Sequence, residues 1–229
     1  MKKIIFILAM LLIPFSVMAS DYKLSDMNIN VEDDWYTFTK DNIKNNQDLK
    51  LLGVSEEYMN KLFENDFYRL DAIKFENDEV TELFVITKDV ISPNTIDMTD
   101  EELNEVKDQY KKLISTGTVE VFKTENNNYI KAIYSDKSLN IIDYYATYNN
   151  VGYTVKVQRR TAFSQEEINK YDEMVKNITF DGKKLISNRK KQVKNESTAY
   201  KIGYYAGQGA VIGAIVGLII YLVNKKKNS

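Results

Sequence analysis

Any chemistry in this chain has to be done without imidazole or thiol. Its 229 residues include no His and no Cys, which excludes a Ser-His-Asp triad, a cysteine nucleophile, a His- or Cys-ligated zinc and a disulfide. What is left is carboxylate, lysine and tyrosine chemistry, or cation binding through oxygen. Two acidic clusters have suitable residue types: Asp97, Asp100, Glu101 and Glu102, and Glu76, Asn77, Asp78 and Glu79. Neither has the central Gly and distant Glu of an EF-hand loop. Carboxylates also gather at helix starts because of the dipole, and in turns because of solvation. No catalytic residue, metal ligand or cofactor is therefore assigned. A carboxylate-dependent hydrolase stays as a remote alternative, because spacing along the chain does not set the separation of two carboxyls in space.

Tyrosines offer a second kind of site. Tyr144, Tyr145, Tyr148 and Tyr153 crowd one strand pair, and rings at a surface stack on sugars or grip peptides. Tyr144 and Tyr148 alternate along the strand and form the candidate ligand surface, although strands enrich Tyr for packing too. A third pattern lies near the carboxyl end. Gly209, Gly213 and Gly217 recur every four residues, with Ala206, Ala210 and Ala214 in a parallel row. On a helix these leave one side almost bare, the GxxxG mode by which membrane helices approach closely.

The segments that must carry these features are marked by hydropathy and charge. Residues 1–19 have Lys2 and Lys3, an apolar run from Ile4 to Phe15, and Val17 and Ala19 spaced as a signal-peptidase site. They read as a leader cut after Ala19. Residues 204–223 are apolar but for Gln208 and reach about 30 Å as a helix, enough to cross a bilayer. Lys225, Lys226 and Lys227 follow as a stop-transfer tail. Six basic residues also precede the helix, but a domain already in transit carries its flanking charges across. The expected location is the cell membrane, single-pass, with the amino-terminal domain outside and residues 224–229 in the cytosol. No Leu-Pro-x-Thr-Gly sorting pentapeptide precedes the helix.

Between these ends, Asp21 to Gly182 holds 32 acidic and 19 basic residues, a net of −13. That predicts an extracytoplasmic domain over 20–182 and a basic juxtamembrane stalk over 183–203. So acidic a domain does not suit nucleic acid, whose phosphates need clustered cations. The partners expected are membrane lipid, a second copy or another membrane helix, and a cell-envelope protein or glycan.

Three helix starts are written in the same way. Ser55, Thr99 and Ser164 are hydroxyl N-caps, flanked by the apolar pairs Val54 with Met59, Met98 with Leu103 and Phe163 with Ile168. Glu102 and Glu167 complete two capping boxes. The second helix carries Leu103, Val106, Tyr110, Leu113 and Ile114 on one face, with Gly117 as its C-cap. The third carries Ile168, Tyr171, Val175 and Ile178. Alternating strands over Met27 to Val31, Trp35 to Phe38, Tyr68 to Phe75, Val80 to Lys88, Val119 to Lys123, Tyr129 to Tyr134, Leu139 to Tyr148 and Tyr153 to Arg160 complete the set. Asn149-Asn150-Val151-Gly152 is the last turn, and Asp89 to Met98 is the one long loop. The order ββ-α-ββ-α-ββββ-α predicts an α+β fold, one mostly antiparallel sheet with three helices packed on it.

This order, with Asp33-Asp34-Trp35-Tyr36 after the opening strand, the hairpin FYRLDAIKFENDEVTELFVITK and the ending TYNNVGYTVKVQRRTAFSQEEINKYDEMVKNITF, resembles the PsbP and Mog type of α/β/α sandwich found in secreted bacterial proteins. The resemblance spans Asp26 to Phe180. It implies an accessory or ligand-binding module rather than an enzyme, and no family binding residue maps onto this chain. The function expected is a membrane-anchored, extracytoplasmic, non-catalytic binding or accessory domain. The alternative is a structural or oligomeric single-pass component that associates through its small-residue helix face.

Overall fold

A strand whose two faces both carry large side chains has to be covered from both sides. That is the pattern of Leu139–Tyr148, where Ile142, Tyr144 and Ala146 alternate with Ile141, Asp143 and Tyr145 and all six are buried. In the computed structural model, which describes residues 19–181 apart from 25, 65, 66, 77, 78, 91 and 115, this strand lies deep in a seven-stranded sheet.

The elements in chain order are β1 (Ala19–Leu24), β2 (Met27–Glu32), β3 (Tyr36–Phe38), α1 (Gln47–Leu52), α2 (Glu56–Phe63), β4 (Tyr68–Glu76), β5 (Glu79–Asp89), α3 (Asp100–Lys111), β6 (Thr118–Lys123), β7 (Asn128–Asp136), β8 (Leu139–Tyr148), β9 (Val151–Arg159), α4 (Gln165–Lys176) and β10 (Thr179–Phe180). The large sheet runs β3-β4-β5-β9-β8-β7-β6 with every neighbour antiparallel. One face is covered by α1, α2 and α3. The other is covered by a small sheet, β1-β2-β10, together with α4.

The fold is thus α+β and antiparallel as expected, but with two sheets and four α-helices among the described residues. β2 buries Met27, Ile29 and Val31 yet lies over the large sheet instead of within it, between β1 and β10. β1 carries no alternation to read: of ASDYKL only Leu24 is buried. Its place is set by backbone pairing along all of β2 and by Asn30 donating to Asp21 at 2.9 Å. α1 has six residues, too few for a periodic stripe, although Asn46 caps its start and Gly53 closes it at φ 68°.

Where the signals are local, structure and sequence agree. Ser55, Thr99 and Ser164 each accept a first-turn backbone N–H, and both capping boxes form. Glu167 also grips Arg159 with both oxygens, and this hydrogen-bonded pair pulls its carboxyl down to about 2. The loop before α3 is tied down rather than loose. Thr95, fully buried, donates to Asn127 at 2.9 Å and accepts from the Thr147 backbone at 3.2 Å.

Two turn assignments change. The β8–β9 hairpin closes on Asn149 and Asn150 alone, at φ 49° and 62°, so Val151 and Gly152 are already strand. Asn accepts the left-handed region that such two-residue turns need. Gly117 does not cap α3, which ends at Lys111 with Lys112 as its C-cap and leaves Leu113 exposed. Gly117 instead leads into β6 at φ 113°, where an added Cβ would sit 2.1 Å from the Ile133 carbonyl oxygen. Gly117→Ala is expected to destabilise the domain by about 3 kcal/mol. The check is urea unfolding followed by the emission of Trp35, the single tryptophan.

Candidate functional site

Each residue singled out in the sequence has a definite place where it is described. Tyr144 is fully buried, under α4, with its hydroxyl donating to Asp172 at 2.7 Å. Burial, then the Asp172 carboxylate, push its phenol well above the usual tyrosine value. Tyr148 is half-buried and stacks on Phe180, ring centres 5.0 Å apart. The expected ligand surface is therefore corrected for Tyr144. Strand alternation turns its ring into the core, because this face of β8 is the one covered by α4 and the small sheet.

The acidic clusters are spread among ordinary tasks. Asp100 pairs with Lys123 at 2.5 Å, Glu102 completes its capping box, and Glu79 accepts from the Thr161 backbone at 2.7 Å. Among the described residues no group of three or more carboxylates comes together. Gly209, Gly213, Gly217, Ala206, Ala210 and Ala214 lie outside the described residues, as do the leader up to residue 18, the stalk and the tail. Among the described residues no helix is long and apolar enough to cross a membrane.

What the sequence did not mark is a groove between β2 and α4, of about 410 Å³. It exists because β10 pairs with β2 only at Asn28 and Met27, leaving the Asn30 to Glu32 side of the strand without a further strand beside it. Val31, Trp35, Tyr171 and Met174 make its apolar lining. Across it Lys170 reaches Glu32 at 2.6 Å, an exposed pair whose contribution to stability is small. Trp35 is 8% exposed, so its ring is almost wholly enclosed while still lining the groove. Periodicity gives no sign of such a feature, since its two walls come from residues 30–35 and 170–177 and meet only in the folded chain.

A second feature missed in the sequence is a band of buried polar groups across the helix-covered face of the large sheet. Lys156 on β9 and Asp143 on β8 are directly opposite, 3.2 Å apart and 0% exposed. Tyr110 of α3 and Tyr134 of β7 both donate to Asp143, at 2.9 and 2.7 Å. Toward the other edge, Asp71 on β4 and Glu82 on β5 lie diagonally on the same face at 3% and 2% exposure. On the opposite face Lys131 is buried between Asp172 at 2.8 Å and Glu120 at 3.3 Å. Glu120 reaches solvent at 60% exposure and Asp172 is partly open at 16%, while the other groups are closed from solvent and shape the core.

No family model matches the chain, and no curated protein matches it. Among solved structures the chain is similar to the solution structure of cyanobacterial PsbP (CyanoP) from Synechocystis sp. PCC 6803, with 11% identity and a TM-score of 0.38, covering 73% of this chain and 95% of that one. No site residue is carried over from it.

Core placement of Tyr144 has a measurable consequence. Tyr144→Phe should cost about 1 to 2 kcal/mol for the lost hydroxyl bond, and Tyr144→Ala about 4 kcal/mol for the lost ring. A ligand-facing ring would leave urea unfolding nearly unchanged in both variants.

Proposed function

We propose that this chain is a membrane-anchored, extracytoplasmic binding or accessory module that engages a partner through the β2–α4 groove, without catalysis. The groove is the observation that carries this reading. It is open to solvent, it presents an aromatic and apolar lining beneath an ion pair, and that combination suits capture of a partner's side chain. Supporting the non-catalytic part, the two carboxyls that burial pushes above the usual carboxylate range, Asp71 and Glu82, are sealed in the core. The leader over 1–19 and the apolar stretch over 204–223 support export and anchoring. A cell-envelope protein or glycan is the partner this location favours. The second reading, a component that associates through its membrane helix, rests on the Gly209, Gly213 and Gly217 repeat with Ala206, Ala210 and Ala214 beside it.

Topology is tested by the mature amino terminus, expected at Ser20, and by protease treatment of intact cells, expected to remove the domain. The site is tested by capture from membranes with three baits: the soluble piece 20–182, the full chain, and the full chain with Met174→Arg. The soluble piece should capture the same partner as the full chain, and Met174→Arg should weaken capture about tenfold or more with Trp35 unfolding unchanged. Capture by the full chain alone, undisturbed by Met174→Arg, would move the function to the membrane helix.

A further inference from the structure

Two carboxyl groups held together in an apolar core cannot both be ionised without a cation to answer them. Asp71 and Glu82 are in that position. They lie diagonally across the β4–β5 ladder, where Asp71 faces Phe84 and Glu82 faces Ile73, and Asp71 Oδ1 and Glu82 Oε1 are buried without a hydrogen-bond partner. Gln158, opposite Glu82 on β9, donates to the other Glu82 oxygen at 2.5 Å. The walls are Phe38, Ile73, Phe84, Met59 and Phe63.

The groups facing the pair from each packed element leave the charge unanswered. α2 brings Tyr58, β3 brings Tyr36, β4 brings Tyr68, and α1 brings only Leu49 and Leu52. On β9 the cation is Lys156, which is committed to Asp143 at 3.2 Å, with Tyr134 and Tyr110 beyond it. Among the described residues neither Asp71 nor Glu82 has a cationic partner. A proton is therefore what neutralises the pair, letting one carboxyl donate to the other.

What sits on this pair is the two shortest α-helices of the described residues. α1 and α2 have six and eight residues, too short to stand without packing, and they cover a cluster separate from the rest of the core. We propose that the Asp71–Glu82 pair is a proton-held latch that keeps the α1–α2 cover closed on the β3-β4-β5 part of the sheet and lets it open as pH rises. Losing the proton leaves two like charges in an apolar pocket, and lifting α2 with Tyr58 is the shortest route by which water reaches them. Burial, partly offset by the hydrogen bond from its neighbour, pushes the Asp71 carboxyl up to about 7, and burial with the Asp71 charge pushes Glu82 up as well. The sign follows from proton linkage. With a folded-state value above the unfolded one, the closed state holds the extra proton, so the closing contribution is complete below about pH 4. It is lost as pH climbs through about 7, at up to about tenfold in the closing equilibrium per pH unit for each proton.

The test is native-state hydrogen exchange on the full chain in detergent at about pH 6 and pH 8.5. Amides of α3 and α4 serve as internal reference, and Trp35, which packs in a different cluster, reports on the rest of the domain. Protection of α1 and α2 relative to α3 and α4 should fall about tenfold or more at the higher pH with Trp35 emission unchanged. Asp71→Asn combined with Glu82→Gln leaves neither group to titrate and should abolish that fall. Either single variant keeps one buried carboxyl and should reduce it, and the two single variants serve should the double variant fail to fold. The proposal is overturned if α1 and α2 keep their relative protection, if all helices lose it together with a Trp35 shift, or if the fall persists in the folded double variant or is undiminished in the single ones.

Discussion

Lys156 and Asp143 face each other across the two central strands with no exposure at all, and the architecture is built around keeping that contact dry and complete. A buried pair of this kind is weak as a source of stability, since desolvation offsets most of the attraction. Removing one partner, however, leaves an uncompensated charge at a cost of about 3 to 5 kcal/mol. The two tyrosine hydroxyls that bond Asp143 come from different elements, Tyr110 on α3 and Tyr134 on β7. They tie the position of α3 over the sheet to the charge beneath it. The register of β7, β8 and β9 is held by the same group, because a one-residue slip would turn Asp143 and Lys156 to the opposite face.

That constraint divides the helix-covered face. α3 closes one apolar cluster over β7 and β8, α1 and α2 close another over β4 and β5, and the polar band runs between them through β9. The two ends of the band differ in kind. At the α3 end a carboxylate meets a cation and two hydroxyls, so its charge is answered. At the α2 end two carboxyls meet each other and an amide, so charge is answered only by a proton. One sheet face thus carries a permanent contact and a conditional one.

The opposite face solves its covering problem differently, and the groove is the result. α4 and the β1-β2-β10 sheet share one layer over the strands. β10 has two residues and reaches only the first part of β2, so the two units stay apart beside Asn30 to Glu32. The tyrosines of β8 that looked available to a ligand complete the layer below, while Trp35 and Met174, which no sequence pattern placed together, line the opening.

By itself the sequence determined what depends on neighbours a few residues away. Helix starts at Ser55, Thr99 and Ser164 were legible because a hydroxyl cap and its apolar pair act within one turn, and the eight main strands because alternation is a local property. The absence of His and Cys likewise settled which chemistries this chain excludes. Only the tertiary structure decided which strand faces became interior on both sides, and so which charged groups were left to neutralise one another in the core. Alternation separates the two faces of a strand but does not say what covers either. Asp71 and Glu82 are eleven positions apart in sequence, Trp35 and Met174 far more. Their meeting is fixed by register and layer packing, which no local pattern carries.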